Sequence, residues 1–407
     1  MIKGTILSFL LLLFALVNTS CNAAKKSAKA SADATLNPQE VEAAFSHAAA
    51  QYLYMKGRLS PGLFPRSYVP ATGKLVTSGA DWWCSGFYPG SLLYLYEETG
   101  SEQLLGEALR ILKTLEKEQY DSSTHDLGFM MYCSFGNLYR LKPDAHTRQI
   151  LVNSARSLAS RFDAKVGCIK SWNSKASDFI VIIDNMMNLE LLFWAAKATG
   201  EQHFYDIAVT HANTTMKNHF RADYSSFHVV NYNPLTGSVQ QKRTAQGYAD
   251  QSAWARGQAW GLYGYTVMYR ETNDKRYLEH AERISSFILD HPNFPADGIA
   301  YWDFNAPDIP RAFRDASAAA VMSAAWLELS GYSNKSKGNL YLNTAKKILK
   351  GLSSARYTAA ANKNGGFILE HSVGYWPEQY TEVDQPLTYA DYYYLEALVR
   401  LKAQLKK

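Results

Sequence analysis

The stretch WGLYGYTVMYRETNDKRYLEHAERISSFIL, residues 260–289, decides the fold. Its first part, 260–271, is apolar nearly all round. Its second, 277–289, places apolar residues at three- and four-residue spacing with charged residues between them. Asn273-Asp274 divides the two, and residues of this type end one helix and cap the next. The segment therefore predicts a helical hairpin with one buried and one half-exposed member.

The same unit recurs along the chain. Residues 92–98 turn at Thr99-Gly100 into 104–115, 190–198 turn at Thr199-Gly200 into 204–216, and 319–330 turn at Gly331 into 340–352. A weaker copy runs from Met130 through Lys142-Pro143-Asp144 into 147–159. With a first helix near 41–54 and a last near 392–401, about twelve helices alternate between an apolar and an amphipathic type. Six such hairpins predict an all-α fold, an (α/α)6 barrel with apolar helices inside and amphipathic helices facing water. An open helical solenoid is the competing arrangement. The long Trp- and Tyr-containing insertions at 218–250 and 291–312 favour a closed ring with functional loops.

At the amino terminus Lys3 precedes an apolar run, 6–17, that is short for a membrane span, so residues 1–20 read as an export signal. The run ends in Val17-Asn18-Thr19-Ser20-Cys21, which resembles the bacterial lipobox and implies lipid attachment at Cys21. An ordinary cleaved signal with Cys21 as a bystander is the alternative. Residues 21–37, mostly Ala, Ser and Lys, have too little apolar surface to order and read as a flexible tether. No later linker divides 38–407, which reads as a single catalytic domain. The expected location is that of an exported bacterial lipoprotein, periplasmic and anchored to the outer membrane.

The formal charge of +5 falls to about +4 once Lys3 is removed, and Lys25, Lys26 and Lys29 of the tether hold much of the rest. No electrostatic case for nucleic acid remains. Cys21, Cys84, Cys133 and Cys168 show neither CxxC spacing nor a neighbouring His pair, so they indicate no disulfide framework or zinc site and read as buried thiols. With no phosphate-binding glycine loop either, neither cofactor nor metal is expected.

If alternate helices run the same way, the starts of all the apolar helices share one rim. Asp81-Trp82-Trp83, His125-Asp126, Asp184-Asn185, the stretch 246–254, Asp315 and Asp391 stand at those starts. Any one Asp there makes a good N-cap. Capping does not require the tryptophans, whose faces suit the apolar side of a sugar ring.

The motifs Trp83-Cys84-Ser85-Gly86-Phe87 with Pro89-Gly90, His125-Asp126-Leu127-Gly128-Phe129, and Asp184-Asn185-Met186-Met187-Asn188 occur in that order. Gly247-Tyr248-Ala249-Asp250 then leads into Trp254-Ala255-Arg256-Gly257-Gln258-Ala259-Trp260, and Asp391-Tyr392-Tyr393-Tyr394 follows near the end. From about residue 40 onward the chain resembles glycoside hydrolase family 88, the unsaturated glucuronyl hydrolases. The resemblance implies an (α/α)6 barrel that removes a terminal 4,5-unsaturated uronic acid from lyase-cut glycosaminoglycan oligosaccharides. The reaction it implies is hydration of the C4–C5 double bond.

The resemblance also implies Asp184 as general acid and base, with Asp126 assisting. Trp83, His125, Trp172, His228, Gln246, Trp254, Arg256 and Trp260 would line the substrate site. Arg256 is suited either to bidentate pairing with the substrate carboxylate or to bracing the barrel. Residues 370–374 are placed to reach the neighbouring sugar or its sulfate. Asp184 must hold its proton near neutral pH, above the ordinary value of about 3.9. A helix N-terminus opposes this, while Asp126 and aromatic walls favour it and are expected to prevail. Three rival functions remain: an unsaturated rhamnogalacturonyl hydrolase of family 105, a two-carboxylate hydrolase of saturated linkages, and an anchored glycan-binding protein without catalysis.

Overall fold

The structure, a computed structural model, describes residues 35–375 and 382–406. The signal, most of the tether and Cys21 lie outside the described residues. Twelve α-helices occur among those described. Six form an outer layer: α1 (Pro38–Lys56), α3 (Glu102–Leu115), α5 (Ala145–Ala159), α7 (Gln202–Asn218), α9 (Lys275–Asp290) and α11 (Lys335–Leu352). Six alternate with them on the inside: α2 (Phe87–Thr99), α4 (Asn137–Leu141), α6 (Leu189–Thr199), α8 (Ala255–Thr272), α10 (Ala316–Leu329) and α12 (Thr388–Leu405).

The quoted stretch forms α8 and α9. Asn273 adopts the left-handed conformation that ends α8, and Asp274 caps α9 by accepting from the Arg276 amide at 2.9 Å. Gly100 and Gly200 end α2 and α6 in the same left-handed way. The inner helices are buried on almost every side; in the alanine-rich α10 only Glu328 is not fully buried. Small side chains let α8 and α12 approach it from both flanks, and α12 also packs on α2, which closes the ring.

Inner-to-outer connections are short turns, whereas outer-to-inner connections are long and carry small sheets absent from the all-α expectation. β1 (Phe64–Val69) pairs with β2 (Lys74–Ser78) ahead of α2, and β3 (Phe162–Asp163) with β4 (Cys168–Ile169) ahead of α6. A three-stranded sheet joins β5 (Phe179–Ile182), β6 (Val229–Tyr232) and β7 (Val239–Arg243), and β8 (Ser372–Val373) pairs with β9 (Val383–Gln385) ahead of α12. These strands are too short to show an alternating pattern in the sequence. They stiffen loops on the rim where the inner helices begin. Cys84 and Cys168 are free and buried; Cys133, expected to be buried, is free and partly exposed.

The second inner helix begins as a π-helix, Gly128–Gly136, before continuing as α4, and the third begins as a 3-10 turn, Ile183–Asn188. These two starts touch. A Cβ on Gly128 would stand 2.4 Å from Asn188 Cα, and the Phe129 amide donates to Asn188 Oδ1 at 3.0 Å. Gly128→Ala is therefore expected to overpack this contact and cost about 1–3 kcal/mol, read as a lower denaturant midpoint. An unchanged midpoint would show that the two helix starts separate freely.

Candidate active site

The contact between these helix starts places two carboxyl groups on the rim. Asp126 precedes the π-helix and Asp184 lies in the 3-10 turn, and each exposes only 13–14% of its side chain. Neither caps its helix with its side chain. Other aspartates at the helix starts have structural partners. Asp315 caps α10 through the Ser317 amide at 3.0 Å, while Asp391 accepts the Ile368 and Leu369 amides, each at 2.9 Å.

Burial raises the pKa of both Asp126 and Asp184 to about 7. For Asp184 the Arg256 charge opposes the rise and the Asp126 charge adds to it; for Asp126, the nearby Asn188 amide, the Thr124 hydroxyl and the Arg161 charge oppose it. The expected contest at Asp184 is thus decided by burial, with Arg256 as an opposing influence that the sequence pattern did not identify.

His228 begins the turn into β6 and faces Asp184, its Nε2 3.6 Å from Oδ2. Its Nδ1 accepts from the backbone amides of Ala245 at 3.1 Å and Gln246 at 3.2 Å. A nitrogen that accepts carries no proton, so the imidazole proton sits on Nε2, toward Asp184. Burial, reinforced by Arg256 and Arg243, holds the ring's pKa well below its ordinary value and keeps it neutral.

The aromatic residues divide into two groups. Trp83 is half-buried against Tyr389 and Phe129, with ring centroids 5.0 and 5.6 Å away, and Trp172 is half-buried with its ring set edge-on to His228. Both present surface at the rim. Trp254 and Trp260, expected to line the substrate site, are buried at 3% and 0% exposure and lie beneath it. Trp254 lies against the His228 ring and the Arg256 guanidinium, each about 4.5 Å from its centroid. Trp260 packs between Phe129 and Tyr393, and its indole N–H near Asp184 favours the carboxylate form.

Of its two expected readings Arg256 takes the bracing one, and the expectation for His125 is corrected. Arg256 does not hold a free fork for a substrate carboxylate. Nη1 donates to Asp315 Oδ2 at 3.0 Å and the Val373 carbonyl at 2.5 Å, and Nη2 donates to Gln246 Oε1 and the Gly374 carbonyl, both at 2.6 Å. Residues 370–374 thus contribute carbonyls that anchor this brace. His125 is 1% exposed and stands behind Asp126, 3.4 Å from its Oδ2, rather than on the substrate surface; burial takes its pKa down to about 3. Gln246, half-buried, has its oxygen committed to Arg256, which leaves its amide nitrogen as the donor it offers the rim.

Three further residues support the two carboxyl groups. Asn185 and Asn188 are buried beside His125 and Asp126, and Arg161 ties the Ser122, Lys170 and Ser171 carbonyls together beneath Asp126 and Trp172. The asparagines were visible in the 184–188 motif, whereas nothing near Arg161 in sequence marks it. At this rim His125, Asp184 Oδ2, Asn185 Oδ1, Asn188 Nδ2, His228 Nε2 and Trp260 Nε1 bury polar atoms without a well-formed hydrogen bond to another protein group. Such a concentration is characteristic of a site that completes its bonds with a ligand or water. A separate cavity of about 480 Å³ contains Glu190 and Glu396, but each pairs with an arginine, Arg270 and Arg400 respectively. Among the described residues no group of His, Cys, Asp and Glu is arranged to hold a metal ion.

Residues 71–396 match the family model described as Glycosyl Hydrolase Family 88. The chain belongs to this family. It is 46% identical over 340 residues to an unsaturated glucuronyl hydrolase from Formosa agariphila, covering 83% of this chain and 84% of that protein. A solved structure of an unsaturated glucuronyl hydrolase specific for heparin is 48% identical, with a TM-score of 0.87 over 91% of this chain and 98% of the other. A Streptococcus agalactiae unsaturated glucuronyl hydrolase mutant, solved in complex with dGlcA-GalNAc6S, is 28% identical with a TM-score of 0.77. That alignment covers 90% of this chain and 93% of the other. The family match displaces the family 105 alternative, and these structures share the (α/α)6 barrel.

Replacing Arg256 with Met is expected to leave Asp315 buried without its cation and to lower stability by about 3–5 kcal/mol, measured by denaturant unfolding. Unchanged stability with weakened substrate affinity would instead return Arg256 to direct carboxylate binding.

Proposed function

We propose that this protein is an unsaturated glucuronyl hydrolase that removes the terminal 4,5-unsaturated uronic acid from glycosaminoglycan oligosaccharides by hydrating its double bond. Asp184 carries the reading: a nearly buried carboxyl group with a pKa of about 7, open to an aromatic rim. It can hold a proton at neutral pH and release it without a large cost. Asp184 protonates C4, and its carboxylate then takes a proton from the water that adds at C5. The product is a hemiketal at C5, whose ring opens and expels the remaining glycan.

Asp126 assists by disfavouring a second negative charge nearby. Neutral His228 directs its Nε2 proton toward Asp184 without adding a full charge. Trp83 and Trp172 provide apolar faces at the entrance, and the Gln246 amide provides a donor. The 48% identity to the heparin-specific hydrolase favours heparin-derived disaccharides as the preferred substrates. We also propose export with lipid attachment at Cys21. Its support is the 17–21 motif, and Cys21→Ala is expected to move activity from the membrane to the soluble fraction. Activity that stays in the membrane fraction argues for another anchor.

Loss of the ultraviolet absorbance of the conjugated double bond provides the test, with unsaturated disaccharides from heparin, chondroitin and hyaluronan offered separately. Asp184→Asn is expected to lower kcat by about 10² to 10⁴ while largely preserving substrate binding. In the wild type, kcat should fall as pH rises through about 7, because the raised pKa of Asp184 means its donor form is lost there. Activity confined to saturated glycosides would support two-carboxylate hydrolysis, and binding without turnover would support a glycan-binding protein.

A further inference from the structure

Asp303 lies between α9 and α10, remote in sequence from every motif discussed above, and is completely buried. Its Oδ2 accepts from the Tyr248 amide at 2.9 Å and the Ser252 hydroxyl at 2.7 Å; its Oδ1 accepts from the Asn305 amide at 2.8 Å. Neighbouring backbone is joined to the same loop. The Ala255 amide donates to the Trp302 carbonyl at 3.1 Å, and the Phe304 amide to the Ala253 carbonyl at 2.9 Å. Arg221 holds the loop's other side through the Asp250 carbonyl at 2.8 Å and the Ser252 carbonyl at 3.2 Å. Gly247 sits so close that a Cβ would stand 2.7 Å from Thr244 Oγ1 and 3.1 Å from Asp303 Oδ2.

The loop held in this way presents the Ala245 and Gln246 amides to His228 Nδ1. Those two donors keep the imidazole proton on the nitrogen that faces Asp184. We propose that Asp303 is a positioning residue for the hydration reaction: its grip on residues 247–252 keeps both amides on His228 and so fixes the tautomer presented to Asp184. This inference rests on the roles assigned above to Asp184 and His228.

If the loop drifts, Nδ1 is released and can carry the one proton of the ring, which burial, Arg256 and Arg243 still keep neutral. Nε2 then has no proton to direct at Asp184, its carboxylate loses that support, and the pKa of Asp184 rises. The groups that face this pair are Asp126 ahead of the π-helix, Arg256 on α8, Arg243 on β7 and His219 after α7, while Arg161 faces Asp126. Asp303→Asn retains all of them, so a shift in the pH profile reports the released imidazole.

The test is kcat and KM across pH for the full-length Asp303→Asn protein, with spectra of ¹⁵N-labelled histidine. A loss in kcat approaching about 10²-fold is expected from misplacement of the imidazole, with a smaller change in KM. The alkaline limb should move to higher pH, and the His228 Nδ1 resonance should lose its acceptor character. Reduced stability with an unmoved limb and an unchanged resonance overturns the proposal and leaves Asp303 a purely structural residue. Should this variant fail to fold, Ser252→Ala removes one donor to Asp303 and should give the same shifts in smaller degree; no shift in either readout again overturns it. His228→Asn separates the premises. Wild-type turnover in His228→Asn removes the assignment of His228 and the proposal with it, whereas lost turnover there beside a wild-type Asp303→Asn removes only the positioning role.

Discussion

The contact between Gly128 and Asn188 is the constraint on which the rest of the site depends. Only a residue without a side chain lets the starts of the second and third inner helices meet there, and the Phe129 amide bond to Asn188 holds them in register. Asp126 and Asp184 are carried on these two starts. Burial raises each pKa and the charge of Asp126 adds to the rise at Asp184, so a packing contact between helices becomes a statement about proton affinity.

The surrounding residues keep this electrostatic balance from collapsing. Arg256 favours ionised Asp184, but its terminal nitrogens are committed to Asp315, Gln246 and two backbone carbonyls, so it acts from a fixed position. His125 and His228 are kept neutral by burial, and neither adds a second cation. The result is a carboxyl group whose two protonation states are close in free energy near neutral pH. A group that donates and then recovers a proton within one cycle requires that balance.

Much of this was legible in the chain. The alternation of apolar and amphipathic helices showed the barrel because the inner layer must be buried on all sides and the outer layer on one. The shared direction of alternate helices places Asp126, Asp184, Trp83 and the 246–254 stretch on one rim. The short strands were not legible, since two to six residues form too brief a pattern to distinguish from loop, and these strands hold His228 and the carbonyls that anchor Arg256.

The sequence by itself determined the helical ring, the rim and the residue types available for proton transfer, because periodicity and helix-end chemistry are local properties. Tertiary structure alone decided which aspartates are spent on backbone amides and which remain unspent. It also decided that Arg256 braces the barrel, that Trp254 and Trp260 lie beneath the surface, and that Asp303 reaches His228 through a loop. Those outcomes depend on burial and, for Arg256, on partners between about 10 and 118 residues away in the chain. Neither burial nor such partners leave a periodic trace in the sequence.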